Sequence, residues 1–286
     1  MKLEDLLVVL HGSGRSNVVL GVALSLARRH DAHLTGVCPL ELLYPTSLGL
    51  TLSGYPDALA LQDAASRFEA QAQAKAQSIE VDFREQLRRN NVRGDWQVAT
   101  GLAVYDVARR ARSADLLVLG QTDPDHPLPP IARHLIEDAL MNSGRPLLIV
   151  PFAGDFDTVG TNVLIGWNES REAARAAHDA LPLIEPTASV TVLTVEPARS
   201  ATDLPQVPGA EMAEHLARHG LKVSAARTVT DGSISYADAI LAYASDIGAD
   251  LLVTGGYGHS RARELILGGV SRELLDHMTL PVLMSH

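Results

Sequence analysis

The segment ADLLVLGQ at residues 114–121 returns as ADLLVTGG at 249–256. A proline-bearing apolar run follows each, RPLLIVP at 145–151 and LPVLMSH at 280–286. Ala114 stands 32 positions before Pro146, and Ala249 stands 32 before Pro281. The openings of the halves also agree, LLVVLHGSGRS at 6–16 against VLIGWNESREA at 163–173. Ser13 matches Ser170 at an offset of 157 while the later segments match at 135, so the first half carries extra sequence in its middle. A chain that repeats itself at domain length is built as two copies of one unit.

Within each copy, short apolar runs alternate with longer helical patterns. The runs predict strands near 5–10, 32–38, 95–99, 115–120 and 146–150, then near 162–167, 188–195, 221–229, 250–255 and 281–285. Continuous apolar strands separated by helices belong to a parallel sheet covered on both faces. The expected fold class is therefore α/β, two tandem doubly wound five-stranded parallel-sheet domains with right-handed crossovers. The domains are expected at 1–153 and 160–286, joined through PFAGDFDTVG at 151–160, which is polar and lacks periodicity.

The extra material of the first half, Asp57 to Asn91, reads as one long helix. Leu61, Ala65, Phe68, Ala72, Ile79, Phe83 and Leu87 trace a stripe at three- and four-residue steps, so packing accounts for it without a ligand. Arg28, Arg29, Arg88, Arg89, Arg109, Arg110 and Arg112 gather where helices should end, where they complement the macrodipole.

Composition narrows the function classes. Net charge is −10 and aromatics make up 4%, so neither the basic footprint nor the stacking platforms of a nucleic-acid binder are present. The single cysteine, Cys38, ends an apolar run and reads as a small core filler. MKLEDLLVVLHG offers too short an apolar run for a signal peptide, and no stretch has the length of a membrane span. A soluble, cytoplasmic protein without membrane contact is expected.

Several motifs fail on inspection. HGSGRSN at 11–17 lacks the third glycine and the downstream acid of a dinucleotide fingerprint, and Ser16 suffices as a helix cap there. GHSRA at 258–262, with Asp276 and His286 downstream, sits too far from its strand for a nucleophile elbow. The three lysines, Lys2, Lys75 and Lys222, follow no glycine loop, which excludes a Walker-type phosphate site. His11, His259, His277 and His286 show no ligand spacing, so no metal site is expected.

GGYGHSRARELILGGVS at 255–271 remains. Gly255 and Gly258 follow a strand's carboxyl end, where ligands sit in open α/β sheets. Gly268, Gly269 and Val270 then open the helical pattern VSRELLDHM. Free N–H groups at a glycine-rich helix start can seat a phosphate. The same glycines can instead serve a tight turn and close helix packing.

The spacing Gly255-x-x-Gly258-x9-Gly268, with the Ser-containing turn after each half's first strand, resembles the nucleotide motif of the universal stress protein family. The resemblance covers the whole chain as tandem domains. It implies a Rossmann-like five-stranded sheet in the order 3-2-1-4-5, and in some members an ATP site without robust turnover. Carried over, Trp167 and Asn168 lie at the first strand's end, Val195 against the adenine, and Thr254 and Gly255 near the ribose. Gly258, Gly268, Gly269 and Val270 surround the phosphates. Asn168 replaces the family's usual aspartate, and Gly269 its usual Ser/Thr. The first half departs further: GQTDPDHPLPP at 120–130 brings four prolines and two acids to the equivalent loop, and His11 stands at the aspartate position.

The expected protein is thus a stress-response regulatory or protective module that binds adenine nucleotide (ATP) weakly through its second domain, with no catalytic residues assigned. The alternatives are a non-binding interaction scaffold and a slow ATP hydrolase. RPLLIVP and LPVLMSH end each half at a sheet edge, which predicts adjacent antiparallel edge strands about a pseudo-twofold axis, and a homo-oligomer beyond that. The proline-rich loops at 39–56 and 196–208 are expected to overhang the sheet's carboxyl edge, the second as a lid.

Overall fold

Residues 6–9 are buried one after another without alternation, as a central parallel strand covered on both faces requires. The computed structural model describes residues 2–12, 15–43, 58–100, 102–124, 134–198, 208–256 and 269–286. The loops at 44–56 and 199–207 lie outside these residues, as do Gly258 and Gly268.

The chain divides into two compact units, Leu3–Arg145 and a second built on Pro146–His286. The strands of the first are β1 (Asp5–Val9), β2 (His33–Pro39), β3 (Gly94–Ala99) and β4 (Leu116–Gly120). Its helices are α1 (Ser16–His30), α2 (Ala58–Asn90), α3 (Ala103–Ala111) and α4 (Leu135–Ser143). All pairings within this unit are parallel, in the order β3-β2-β1-β4.

The second unit contains β5 (Leu147–Val150), β6 (Asn162–Gly166), β7 (Ser189–Pro197), β8 (Lys222–Thr230), β9 (Leu251–Gly255) and β10 (Val282–Ser285). Helices α5 (Arg171–Ala180), α6 (Ala210–Arg218), α7 (Tyr236–Asp246) and α8 (Gly269–His277) cover it. Strands β8-β7-β6-β9-β10 are all parallel, the 3-2-1-4-5 order in full. Strand β5, the fifth strand of the first repeat, groups with this unit and runs antiparallel to β10, with Leu148 opposite Leu283. Edge pairing of the two repeats' last strands is what their apolar, unpaired sequence predicts.

Each repeated Ala-Asp-Leu-Leu-Val segment explains itself in its aspartate. Asp115 accepts the backbone N–H groups of Glu4 and Asp5 at 2.8 and 3.1 Å. Asp250 accepts those of Gly160, Thr161 and Asn162 at 2.9–3.0 Å. The residue before the fourth strand of each repeat therefore fixes the entry of the first strand.

Helix α2 buries Ala64, Ala72, Ala76, Ile79, Phe83 and Leu87. Ala65 is exposed, so the upper stripe runs through Ala64, one residue earlier than the sequence pattern suggests. The i+4 step from Ala64 to half-buried Phe68 follows the helix face better than the i+3 step from Ala65. Phe83 is fully buried, its ring 5.3 Å from that of Trp96. Gly36 makes that closure possible, since a β-carbon there would meet Trp96 at 2.7 Å and Phe83 at 3.0 Å. The arginines do close the helices, Arg88 and Arg89 on Glu85, and Arg109 and Arg110 on Asp106. Ser16 does not cap α1; Arg15 holds the cap position, and Ser16 is already the first helical residue. Cys38 is buried in the core, where loss of solvent pushes its thiol up to about 12. Among the described residues no helix is long and apolar enough to cross a membrane.

Candidate functional site

Strand β6 is the switch point of its sheet, with β7 on one side and β9 on the other. In open α/β sheets that point, at the strands' carboxyl ends, is where a ligand crevice forms. The fold brings Trp167–Asn168, Val195 and Thr254–Gly255 to the ends of these three neighbouring strands.

The Trp167 backbone N–H donates to Leu193 O at 2.8 Å, extending the β6–β7 ladder by one step. Its half-buried indole lies over Gly209, whose φ of 82° is left-handed. A β-carbon on Gly209 would stand 3.2 Å from Trp167 Cδ1 and 2.9 Å from Val192 Cγ1. Glycine there thus serves both the backbone conformation and the indole's seat. Asn168 is exposed, and its side-chain oxygen accepts the Ser170 N–H at 3.2 Å. Ser170 in turn caps α5, accepting the Ala173 N–H at 3.1 Å. Val195 is half-buried on β7 opposite Thr228.

Two glycines of the motif behave differently. A β-carbon on Gly255 would fall 2.5 Å from both Ala173 N and Glu172 C, so this glycine admits the start of α5 against β9. Its close approach is to protein backbone, which is the packing role. A β-carbon on Gly269 would meet nothing within 4 Å. Gly269 opens α8 with no acidic residue in the first turn, and Val270 beside it is 39% exposed. The first N–H groups of a helix have no partner within it, so a helix start of this kind suits an acceptor from outside the helix. The buried Thr254 hydroxyl donates to Gly255 O at 3.2 Å, a local engagement rather than a free one.

Sequence reasoning missed three neighbours of these residues. Gly209 was legible only as a turn after Pro208. The Thr194 hydroxyl, next to Val195, is buried with no hydrogen-bond partner among the described residues. Glu172 is 5% exposed in the first turn of α5 beside Gly255. Burial pushes its pKa up, but hydrogen bonding and charge from Arg171, its own backbone N–H and nearby His286 outweigh that and hold it below the usual range. A helix-start acid was the available signal, its burial was not. His286 itself bonds to Gly256 O at 3.2 Å, a terminal fastening.

The equivalent corner of the first unit is filled. A β-carbon on Gly12 would meet Ile79 Cδ1 at 2.9 Å and Lys75 Cε at 3.0 Å, so α2 lies against the turn after β1. The cavity left beside it, about 200 Å³, is lined by Ser16, Asn17, Lys75, Ser78 and Asp82 among others. That is below the range of a site for a drug-sized ligand, roughly 300–1,000 Å³. His11 is half-buried there, and loss of solvent, with the Lys75 ammonium second, lowers its pKa to about 4. It stays neutral at neutral pH. The sequence placed the loss of this site in the loop at 120–130, whose residues 125–130 lie outside those described. Helix α2 narrows the same corner.

The family model described as the universal stress protein family matches residues 161–286. The second unit belongs to the universal stress protein family. No curated protein sequence matches the chain. Among solved structures, a universal stress protein from Archaeoglobus fulgidus DSM 4304 is similar over 98% of this chain and 95% of its own, with 16% identity and a TM-score of 0.74. A functionally unknown protein of Pseudomonas aeruginosa PAO1 is similar over 99% of this chain and 92% of its own, again at 16% identity, with a TM-score of 0.60. Identities this low speak for fold alone, and that likeness of fold spans both units.

Proposed function

We propose that the chain is a tandem universal stress protein, a cytoplasmic stress-response module that binds one adenine nucleotide, ATP, through its second unit. The observation that carries this reading is the open start of α8 at Gly269, downstream of the switch point that β6, β7 and β9 create. Trp167 offers an aromatic face, and the Thr194 hydroxyl needs a partner that a base or ribose could supply. The ionised Glu172 beside Gly255 repels phosphate from the start of α5 and favours the start of α8. In this reading the first unit takes no nucleotide, which the closeness of Lys75 and Ile79 to the turn at Gly12 supports. Turnover is not part of the reading: no lysine or unpaired base adjoins the described part of the site.

A second reading, the non-binding scaffold, draws on Gly255, whose closeness to the backbone of α5 serves packing alone. Titration of ATP into the full chain by calorimetry separates the two, using two substitutions that the space around Gly269 admits. Gly269→Asp favours the helix start electrostatically but opposes phosphate, and should abolish binding. Gly269→Ser adds a hydroxyl contact and should strengthen binding by about fivefold. Absence of heat with the wild-type chain and with the serine variant would favour the scaffold. The proposal extends to a homo-oligomer, which light scattering of the purified chain tests.

A further inference from the structure

Three histidines of the second unit meet where two helices end. His178 lies in the last turn of α5, His215 in the last turn of α6, and His219 caps α6. The His178 and His215 rings are 5.0 Å apart, as are those of His215 and His219. The Nε2 atoms of His178 and His215 face each other at 3.1 Å. His178 Nδ1 lies 2.7 Å from the carbonyl oxygen of Ala174 and donates to it. That bond puts the Nε2 lone pair of neutral His178 toward His215.

We infer that His178, His215 and His219 form a binding site for a borderline transition-metal ion such as Zn²⁺ or Ni²⁺, separate from the nucleotide site. In a tetrahedral Zn²⁺ site with bonds of about 2.0–2.1 Å, ligand nitrogens stand roughly 3.3 Å apart, so the facing pair needs to open by only a few tenths of an ångström. With both rings neutral, the hydrogen of this contact is the one His215 carries on Nε2, given to the His178 lone pair. When an ion takes its place, His215 carries its hydrogen on Nδ1 instead, and both rings stay neutral. The Ala174 carbonyl then plays the outer-shell part that commonly orients a metal-bound imidazole.

Position favours a cation. Helix carboxyl ends carry partial negative charge, and this site adjoins two of them. His215 is half-buried, between the other two rings. Arg218 opposes the ion, but it reaches toward Glu214 at 3.5 Å, and Arg175 is tied to Asp179 at 2.7 Å. His219 and His178 are exposed, so the rotation that brings His219 in as third ligand is a nanosecond side-chain event. Water completes the shell. Soft or borderline ions that accept imidazole suit these ligands, and Mg²⁺ and Ca²⁺ do not.

Elsewhere Asp238, Glu273 and His277 bring ligand atoms within 4.8 Å of one another, on α7 and α8, a closeness that the three histidines reach only once His219 turns inward. That group is two-thirds carboxylate, with His277 and Asp238 exposed at 58% and 48% and no ring held in a set orientation. It serves as the internal control.

Zn²⁺ and Ni²⁺ binding to the full chain should be measured by competition with a chromophoric chelator, with Mg²⁺ as the negative. One ion per chain is expected. His178→Gln and His215→Gln should each weaken binding at least about tenfold and together abolish it, with His219→Gln costing about three- to tenfold. Glu273→Gln with His277→Gln should leave affinity unchanged. Circular dichroism of each variant checks that the fold persists. Failure of the wild-type chain to bind at millimolar metal overturns the proposal. So does unchanged affinity in the His178/His215 double variant, or loss of binding in the Glu273/His277 pair.

Discussion

Asp250 accepts the backbone N–H of Asn162 at 2.9 Å, joining the residue before β9 to the first residue of β6. Gly160 and Thr161 give their N–H groups to the same carboxylate, each at 3.0 Å. Removing it strands several donors at once, so Asp250→Ala should destabilise the second unit by about 2–4 kcal/mol. Asp115→Ala, which frees two donors in an exposed setting, should cost about 1 kcal/mol. The two tryptophans, Trp96 and Trp167, fall one in each unit, so fluorescence-monitored denaturation of Trp96→Phe and Trp167→Phe backgrounds assigns each loss. Equal effects on both units would count against the clamp.

Gly160 has a φ of 94°, and a β-carbon on it would stand 2.0 Å from the Leu183 carbonyl oxygen. Gly160→Ala should therefore cost more than about 2 kcal/mol, through left-handed backbone and clash together. Gly144 is also left-handed at 67° but has open space around its β-carbon position. Gly144→Ala should cost only about 1 kcal/mol, and denaturation midpoints of the two variants give the comparison.

Phe83→Ala removes a fully buried ring from between α2 and the sheet. A loss of about 3–4 kcal/mol confined to the first unit is expected. Trp96 fluorescence should report it, since the two rings touch.

His11 gives the first unit an acid sensitivity. Its folded-state pKa, near 4, lies below its ordinary value of 6.5, so the unfolded chain binds the proton more readily between those values. Stability is then full above pH 6.5 and falls as pH drops toward 4. Discounted for partial exposure, the loss should be about 1 kcal/mol. In His11→Gln the pH dependence of first-unit stability over that window should flatten. An NMR titration of Lys75→Ala should find His11 shifted upward yet still below 6.5, because burial is the larger cause.

Much of this architecture is legible in sequence for a simple reason. Strands buried on both faces cannot alternate, and central runs such as Leu6–Val9 and Leu251–Val253 announced themselves as unbroken apolar stretches, whereas the edge strands β3 and β8, GDWQVA and KVSAARTVT, are interrupted by polar residues. The repeat then supplied the topology. Contacts between distant elements stayed hidden. Gly255 reads as a ligand glycine until α5 is seen against it, and nothing in the residues around Gly12 reveals Lys75 and Ile79. The histidines escaped notice because His178 comes from another helix than His215 and His219, so no spacing along the chain records them.

The pairing of β5 with β10 has a consequence for association. Residues 151–161 tether β5 to β6 and hold it close to its partner, and a short tether of this kind sets an effective concentration on the order of millimolar. An edge strand from a second chain would have to be present at a similar concentration to displace it. Self-association of the intact chain must therefore draw on some other surface. A chain begun at residue 160 would lose the tethered strand, bare one side of β10 and dimerise there as its concentration rises. The short apolar segment thus acts as a resident competitor, keeping the sheet from recruiting strangers.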